Sequence, residues 1–350
     1  MGKAQEDLAK DSRNFDHFHN QTGSEPPYFD EKENAWVLST YSDVMAAFCC
    51  LNLSPVGPND KTASSAPDES AMIKVREETR QWLSPSQLRT WREQLAPIIQ
   101  AAAEKLAAKR KVDLVEEYAR PCCTALAAIV SNIPLADANA LSGFTEPISA
   151  SAAEPYDAGL RSRAKSATAA LKRHLQSGTE PLRDSTFVAL MRTMPCLLAN
   201  SWHALLQHPE QWRLLHEQPD FIDHAMEELF RYAGLPRILF RRAEETTDLN
   251  GVLIRRGQRV ALRIMTANRD SARFAHGDTL DVMRSTKGQL TLGAGPHSCV
   301  GAGLIRMAAI AVTRPLLAHF PQAELIEPVN WIGGSGFRAP ESLWVRLIRP

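Results

Sequence analysis

The chain carries no surplus of charge of either sign, and that absence removes a large class of partners. Its 350 residues include 40 lysines and arginines against 40 aspartates and glutamates. With no basic excess to neutralise phosphates, nucleic acid is excluded as the main partner. Long apolar runs are also missing: none approaches the roughly 20 residues that cross a bilayer, and residues 1–24 are polar rather than signal-like. The expectation is a cytoplasmic protein with no membrane partner. Cysteine is scarce, six residues falling as Cys49-Cys50, Cys122-Cys123, Cys196 and Cys299. Adjacent pairs make poor disulfide frameworks, so the thiols read as reduced, and all but Cys299 as small core residues. Neither an internal repeat nor a low-complexity linker divides the chain, and a composition 44% hydrophobic supports a sizeable core. The expected organisation is a polar segment, 1–24, followed by one domain, 25–350.

What is there is mostly helix. Residues 35–40, "AWVLST", read as a strand, and "YSDVMAAF" then opens a helix. From 72 to 232, segments such as "SQLRTWREQLAPIIQAAAEKLAAKR", "DLVEEYARPCCTALAAIVSNI" and "STFVALMRTMPCLLANSWHALLQ" place apolar residues near a 3.6-residue spacing. "FIDHAMEELFRYAG" is predicted to end at Gly234 as a C-cap. The pattern then turns β: "RILFRRA" and "TTDLNGVLIRRGQRVALRI" alternate, with turn signals at Asn250-Gly251 and Gly257. An irregular loop over 268–290 precedes a last long helix. The fold class expected is mainly α with small β-sheets.

The segment "LTLGAGPHSCVGAGLIRMAAIAV", residues 290–312, carries the chemistry. Cys299 lies behind Gly293, Gly295 and His297, with Gly301 after it, where a helix is predicted to begin. Glycines let the backbone pass close to a bulky group, and a helix start favours a thiolate. A flat ligand with a metal at its centre fits, since cysteine thiolate is one of the proximal donors to haem iron. The spacing G-x-G-x-H-x-C-x-G is specific. Together with "EELFRY", "FRRAEETTDLNGVLIRRGQRV" and "ANRDSARF" in the same order, it resembles a bacterial cytochrome P450, and weaker likeness extends over nearly the whole chain.

That resemblance implies the cytochrome P450 fold, a b-type haem, a small-molecule substrate and electrons from a ferredoxin-type donor. It makes Cys299 the axial metal ligand, and His297, Arg241 and Arg76 candidate partners of the haem propionates, to which charge-assisted bonds suit these residue types. Gly293, Gly295 and Gly301 shape the loop. Glu228 and Arg231, three apart on one helix, become a structural ion pair rather than a catalytic dyad. Leu190, Met194, Leu239 and Arg237 fall on segments that line the substrate pocket.

The departures from the family pattern carry further information. Residues 189–193, "ALMRT", stand where the family has A-G-x-acid-Thr in the distal helix. Thr193 keeps the hydroxyl, but Arg192 replaces the acid that organises proton delivery, and arginine is a poor proton relay. Pro195 removes a hydrogen bond to Met191 and is expected to bend the helix. Three readings of Arg192 stay open: it faces solvent, it anchors an acidic substrate as in the related fatty-acid peroxygenases, or it marks lost oxygen activation. If Arg192 and Arg237 both lie over one haem, they suit a carboxylate or phosphate. Leu292 replaces a phenylalanine ahead of the loop. Thr279 replaces an arginine that joins the Glu228 pair, so that network is expected to be incomplete, and Pro315 is expected to interrupt the last helix. The chain is short in two places, 54–70 and the stretch after "ALKRHLQ". The first leaves little room for the helix that roofs the substrate pocket in the family, and the trimmed roof predicts an open distal cavity suited to a large substrate, a carrier-tethered one, or a partner that completes the pocket. Three function classes follow: an oxidative haem-thiolate enzyme using dioxygen or peroxide, a non-oxidative haem isomerase or dehydratase, and an accessory protein that lacks catalysis.

Overall fold

The computed structural model describes residues 25–55, 69–154, 157–175, 182–333 and 336–348. The polar segment 1–24, most of the shortened stretch 54–70 and residues 176–181 of the second shortening lie outside the described residues, and so do the expectations attached to them.

Helices dominate. In chain order they are α1 (Tyr41–Cys49), α2 (Glu69–Trp82), α3 (Pro85–Ala107), α4 (Arg120–Ser131), α5 (Leu135–Ala153), α6 (Ala158–His174), α7 (Arg183–Val188), α8 (Met194–Gln207), α9 (Pro209–Glu217), α10 (Ile222–Ala233), α11 (Ile264–Ala267) and α12 (Ala302–His319). Side-chain caps open α1 and α3. Thr40 accepts the Asp43 N–H, Ser84 accepts that of Gln87, and Pro85 opens α3, where its missing donor costs nothing. Along α3 the buried side chains Trp91, Leu95, Ile99, Ala103 and Leu106 form one stripe at helical spacing, facing α12 in the main core.

Tyr118, Trp202 and Trp212 pin this core by their polar tips. Tyr118 donates to Val312 O at 2.8 Å, Trp202 Nε1 to Thr313 Oγ1 at 3.1 Å and Trp212 Nε1 to Phe320 O at 2.8 Å, so each large apolar body is buried without an orphaned donor. All three bonds reach α12 or the residue just after it, which fixes the helix that follows the cysteine loop.

The strands make small sheets. The largest has the order β1 (Tyr28–Asp30), β2 (Ala35–Leu38), β8 (Arg259–Arg263), β5 (Ile238–Ala243), β3 (Leu53–Pro55), with β2 and β8 parallel. β6 (Thr247–Leu249) and β7 (Val252–Ile254) form the predicted hairpin, Asn250 and Gly251 both at positive φ as its two-residue turn requires. The last hairpin is β10 (Trp331–Gly333) with β11 (Arg338–Pro340), and β4 (Val112–Asp113), β12 (Trp344–Ile348) and β9 (Gln322–Leu325) complete a third sheet.

Several local expectations are corrected. The helix predicted to start at Cys299 begins three residues later, at Ala302, so the cysteine sits on the loop before it. Pro315 does not interrupt that helix, which runs through it to His319. The long distal segment is not one regular helix: residues 189–193 form a π turn in which Met194 N bonds to Ala189 O, and α8 starts just before Pro195. The extra residue in that turn accommodates the proline, whose ring clashes with an ordinary i−4 carbonyl. Gly234 does cap α10, but at φ −58°, ψ 151° rather than in the left-handed region. Glycine is required there because a Cβ would stand 2.3 Å from Thr291 Oγ1 and 2.5 Å from Phe230 O.

Among the described residues no single helix is long and apolar enough to cross a membrane. One bent pair, Val115–Ser131 with Leu135–Ala153, passes that test by length and composition, and the first of its members lies inside the core, with Cys122, Cys123 and Leu126 buried.

Candidate haem-thiolate site

The cysteine loop is built by two glycines in the left-handed region, which other residues adopt only at a cost. Gly293 and Gly295 have φ of +70° and +65°, and between Gly295 and His297 the chain makes a single 3-10 turn. Cys299 N donates to Leu292 O at 2.8 Å, which closes the loop on itself, and Cys299 O accepts from Ala302 N at 3.2 Å, which hands it to α12. A Cβ on Gly295 would sit 2.4 Å from Phe48 O, so the loop crosses the end of α1 at backbone contact. Gly295→Ala is therefore expected to lose about 1–2 kcal/mol from the left-handed backbone alone and more from the clash, read as a lower Tm and lower cofactor occupancy.

Three cations surround this loop. Arg76, from α2, donates from Nη2 to Ser298 O at 2.6 Å, next to the cysteine. Burial raises the Cys299 thiol pKa, while the Gly301 N–H and the Arg76 and Arg306 guanidiniums oppose that rise. The balance leaves a neutral thiol that a metal ion must deprotonate on binding. Arg306, one turn into α12, is held by Glu227, which also accepts from Gln289. Sequence reasoning missed Arg306; its place seven residues after the cysteine was the available signal.

The third cation is Arg241 on β5. It is only 6% exposed, lies 5.4 Å from the centre of the Phe48 ring and makes one hydrogen bond among the described residues, to the neighbouring Phe240 O. Burial pushes its pKa down to about 10. The folded value lies below the unfolded one, so the charged native form is disfavoured at every pH below that, by on the order of 3 kcal/mol. A buried guanidinium with no described carboxylate partner is the signature of a site awaiting an anion. Phe48 connects the two halves, since its ring also approaches the Gly293 position at 3.9 Å. In sequence Phe48 looked like one more apolar position of α1.

These observations fit a haem. Cys299 offers a sulfur on a loop that glycine keeps thin, the Gly301 position lying 3.8 Å from Sγ, and Arg241 and Arg76 offer cations suited to propionates. His297 is half-buried in the same turn. Arg241→Met is expected to act with opposite signs: the cofactor-free protein gains Tm, whereas the haem dissociation constant rises.

The distal residues disperse. Arg192 leaves the helix sideways, its Nε donating to Thr145 Oγ1 at 2.9 Å and its Nη2 to Ser142 O at 3.5 Å, both on α5. Thr193 is half-buried at the end of the π turn, whereas Leu190 and Met194 are each 2% exposed within the main core. Leu239 pairs with Leu262 and packs against the second core cluster. Arg237 lines a cavity with Arg269 and Arg338, not with Arg192, so the two arginines expected over one haem are not brought together.

The Glu228–Arg231 pair is fully buried and complete. Arg231 binds both carboxylate oxygens at 2.6 and 2.7 Å and donates to Asn268 O, Gly277 O and Thr279 O. The missing arginine at 279 is replaced from five residues on: Arg284 Nε reaches Glu228 Oε1 at 3.2 Å. The expected gap in the network does not exist.

No family model matches the chain. Curated relatives do. The biotin biosynthesis cytochrome P450 of Bacillus subtilis is 40% identical over 149 residues, 42% of this chain and 38% of that protein. Nocardicin C N-oxygenase of Nocardia uniformis is 37% identical over 150 residues. The match spans 38% of each of these relatives' length. Cytochrome P450 130 of Mycobacterium tuberculosis aligns over 96% of this chain and 93% of its own, at 27% identity. Among solved structures, CYP109B1 from Bacillus subtilis superposes with a TM-score of 0.82 at 20% identity, covering 95% of this chain and 99% of that one. P450BioI in complex with an acyl carrier protein ligated to hexadec-9Z-enoic acid does so at 0.79 and 24%, covering 90% and 92%. At such identities the superpositions establish the fold.

Proposed function

We propose, from the premise that this chain belongs to the cytochrome P450 family, that it is a haem-thiolate oxidoreductase acting on a large organic substrate tethered to a carrier protein. The observation that carries this reading is the convergence of a thiol on a glycine-built loop with the buried Arg241 guanidinium, joined through Phe48. The likeness to cytochromes P450 supports a haem of the b type. When bound, haem supplies oxygen chemistry, and its thiolate ligand pushes electron density that favours O–O cleavage.

The chain's own residues have separable tasks. Cys299 donates the sulfur. Arg76, Arg241 and His297 hold propionates, and Arg76 also fixes the loop through Ser298 O. Thr193 presents the one hydroxyl of the distal turn, where it holds a proton for delivery. Arg192 is not in position to share that task, because its guanidinium is engaged by α5. Without an acid at 192, proton supply falls to Thr193 and water, which favours peroxide as an oxidant beside dioxygen with a ferredoxin-type donor. The carrier-tethered substrate rests on the relative solved with an acyl carrier protein, and the cytoplasmic location on the reduced thiols and the need for a soluble donor.

The test is the absorption spectrum of the purified protein, reduced and exposed to carbon monoxide. A red-shifted Soret band is the expected result. Protein that stays haem-free when haem is supplied would move the accessory reading to first place. Thr193→Ala is expected to slow turnover by about a hundredfold, leaving the spectrum unchanged. Paired assays with peroxide and with reductase then identify the oxidant.

A further inference from the structure

We propose that the cavity between α8 and the β10–β11 hairpin binds a small organic oxyanion, a phosphate or carboxylate carried on an apolar body no larger than one ring. This site is separate from the cysteine centre. The cavity encloses about 230 Å³, below the roughly 300–1,000 Å³ of sites that take drug-sized ligands. Its cationic lining comes from three arginines, Arg237 after α10, Arg269 beyond α11 and Arg338 on β11, and His203 on α8 adds an imidazole to the same wall. Among the described lining residues there is no aspartate or glutamate.

Two of the three guanidiniums are held in place by aromatic faces. Arg338 lies 4.4 Å from the centre of the Trp331 ring, and His203 meets the same ring edge-on at 5.0 Å. Arg269 lies 4.5 Å from the Tyr232 ring and donates from Nη2 to Tyr232 O at 3.1 Å. Its Nη1 stands 3.7 Å from Asp278, a well-exposed carboxylate outside the cavity lining. Its Nε is buried with no hydrogen-bond partner. Stacking on aromatic rings restricts planar donors to a few orientations, so an incoming oxyanion meets donors already fixed. Burial, followed by the Arg338 charge, lowers the His203 pKa, which agrees with a local positive field. Ala204, Ala233 and Met265 supply an apolar floor, and Trp331, 39% exposed, forms a wall. A free inorganic ion leaves that surface unused, whereas an aryl or short alkyl group covers it.

Distance separates this cavity from the haem-thiolate centre. His203 is ten residues beyond Thr193, about 15 Å along the helix. Neither Cys299, His297, Arg76 nor Arg241 lines it. Nothing in the proposed oxidation uses it.

Isothermal titration of the full-length, haem-loaded protein at low salt tests the site. Phenyl phosphate and benzoate are expected to bind one to one, inorganic phosphate more weakly, and phenol not detectably. Arg338→Gln and Arg269→Gln should each weaken phenyl phosphate at least about tenfold, the loss of one charge-assisted hydrogen bond. Ala204→Phe should abolish binding by filling the cavity with every cation retained. Circular dichroism checks that each variant is folded, and a Soret band unmoved by the titration places the ligand away from the iron. Phenol binding as tightly as phenyl phosphate overturns the proposal. So does an affinity unchanged in both arginine variants and in Ala204→Phe, or a Soret shift that tracks the titration. Failure of the haem spectrum itself leaves this site testable, because the calorimetric readout needs no turnover.

Discussion

Cys299→Ser is expected to leave a folded protein that lacks the red-shifted carbon monoxide band and loses at least about a hundredfold in activity, the upper end of what changes outside the ligand shell cost. Both halves of that expectation come from geometry. The residue is on a loop, its backbone is bonded at both ends to Leu292 O and Ala302 N, and serine preserves those bonds. Its side chain is half-buried and is no part of the main core cluster, so the Tm of the cofactor-free variant should fall by no more than a few degrees. The chemistry, in contrast, depends on sulfur. A hydroxyl is a far weaker donor to iron, and the Gly301 N–H and the Arg76 and Arg306 charges around Sγ act on a thiolate. A spectrum identical to that of the parent protein would show that another group binds the iron. A variant that does not fold would show that the loop's stability comes from the thiol itself; Cys299→Ala, equally small, separates that case.

How much of this was legible beforehand depends on how local the signal is. The cysteine loop is contiguous in sequence, and its glycines announce backbone that other residues adopt only at a cost. The helices and the Asn250-Gly251 hairpin were legible for the same reason, periodicity and turn chemistry being short-range. What the sequence could not place was whatever depends on a partner far along the chain. Arg284 completes the Glu228 network from outside the position where a substitute was sought, because side-chain reach rather than register decides which arginine arrives. Arg192 was read against the metal site, yet a helix carries side chains to every side, and its partners on α5 stand 47 and 50 residues earlier. Phe48 looked like core and is core, but it also touches the cysteine loop and Arg241. The π turn at 189–193 escaped because a proline signals a bend without saying how the backbone absorbs it.

Glu228→Ala is expected to cost about 3–5 kcal/mol, a large share of the roughly 5–15 kcal/mol that holds a domain folded. The pair is 0% exposed on both sides, so removing the carboxylate strands the Arg231 charge in the interior. It also frees the Asp281 N–H and one partner of Arg284. Those groups belong to the irregular segment 268–290, which is held by isolated turn bonds rather than by a helix or strand and is anchored by Arg231 at Asn268, Gly277 and Thr279. That segment leads directly into the cysteine loop. Haem occupancy should therefore fall with the loss of order there, although Glu228 does not touch the loop. Urea unfolding measures the first effect and the haem-to-protein ratio the second. The double variant Glu228→Leu, Arg231→Met distinguishes charge from packing. If the penalty is the stranded charge, the double variant unfolds at higher urea than Glu228→Ala does, because no ion is left unpaired. If the loss comes from the backbone carbonyls that Arg231 gathers, the double variant is the worse of the two, and the pair's main task is to fasten the loop that precedes the thiol.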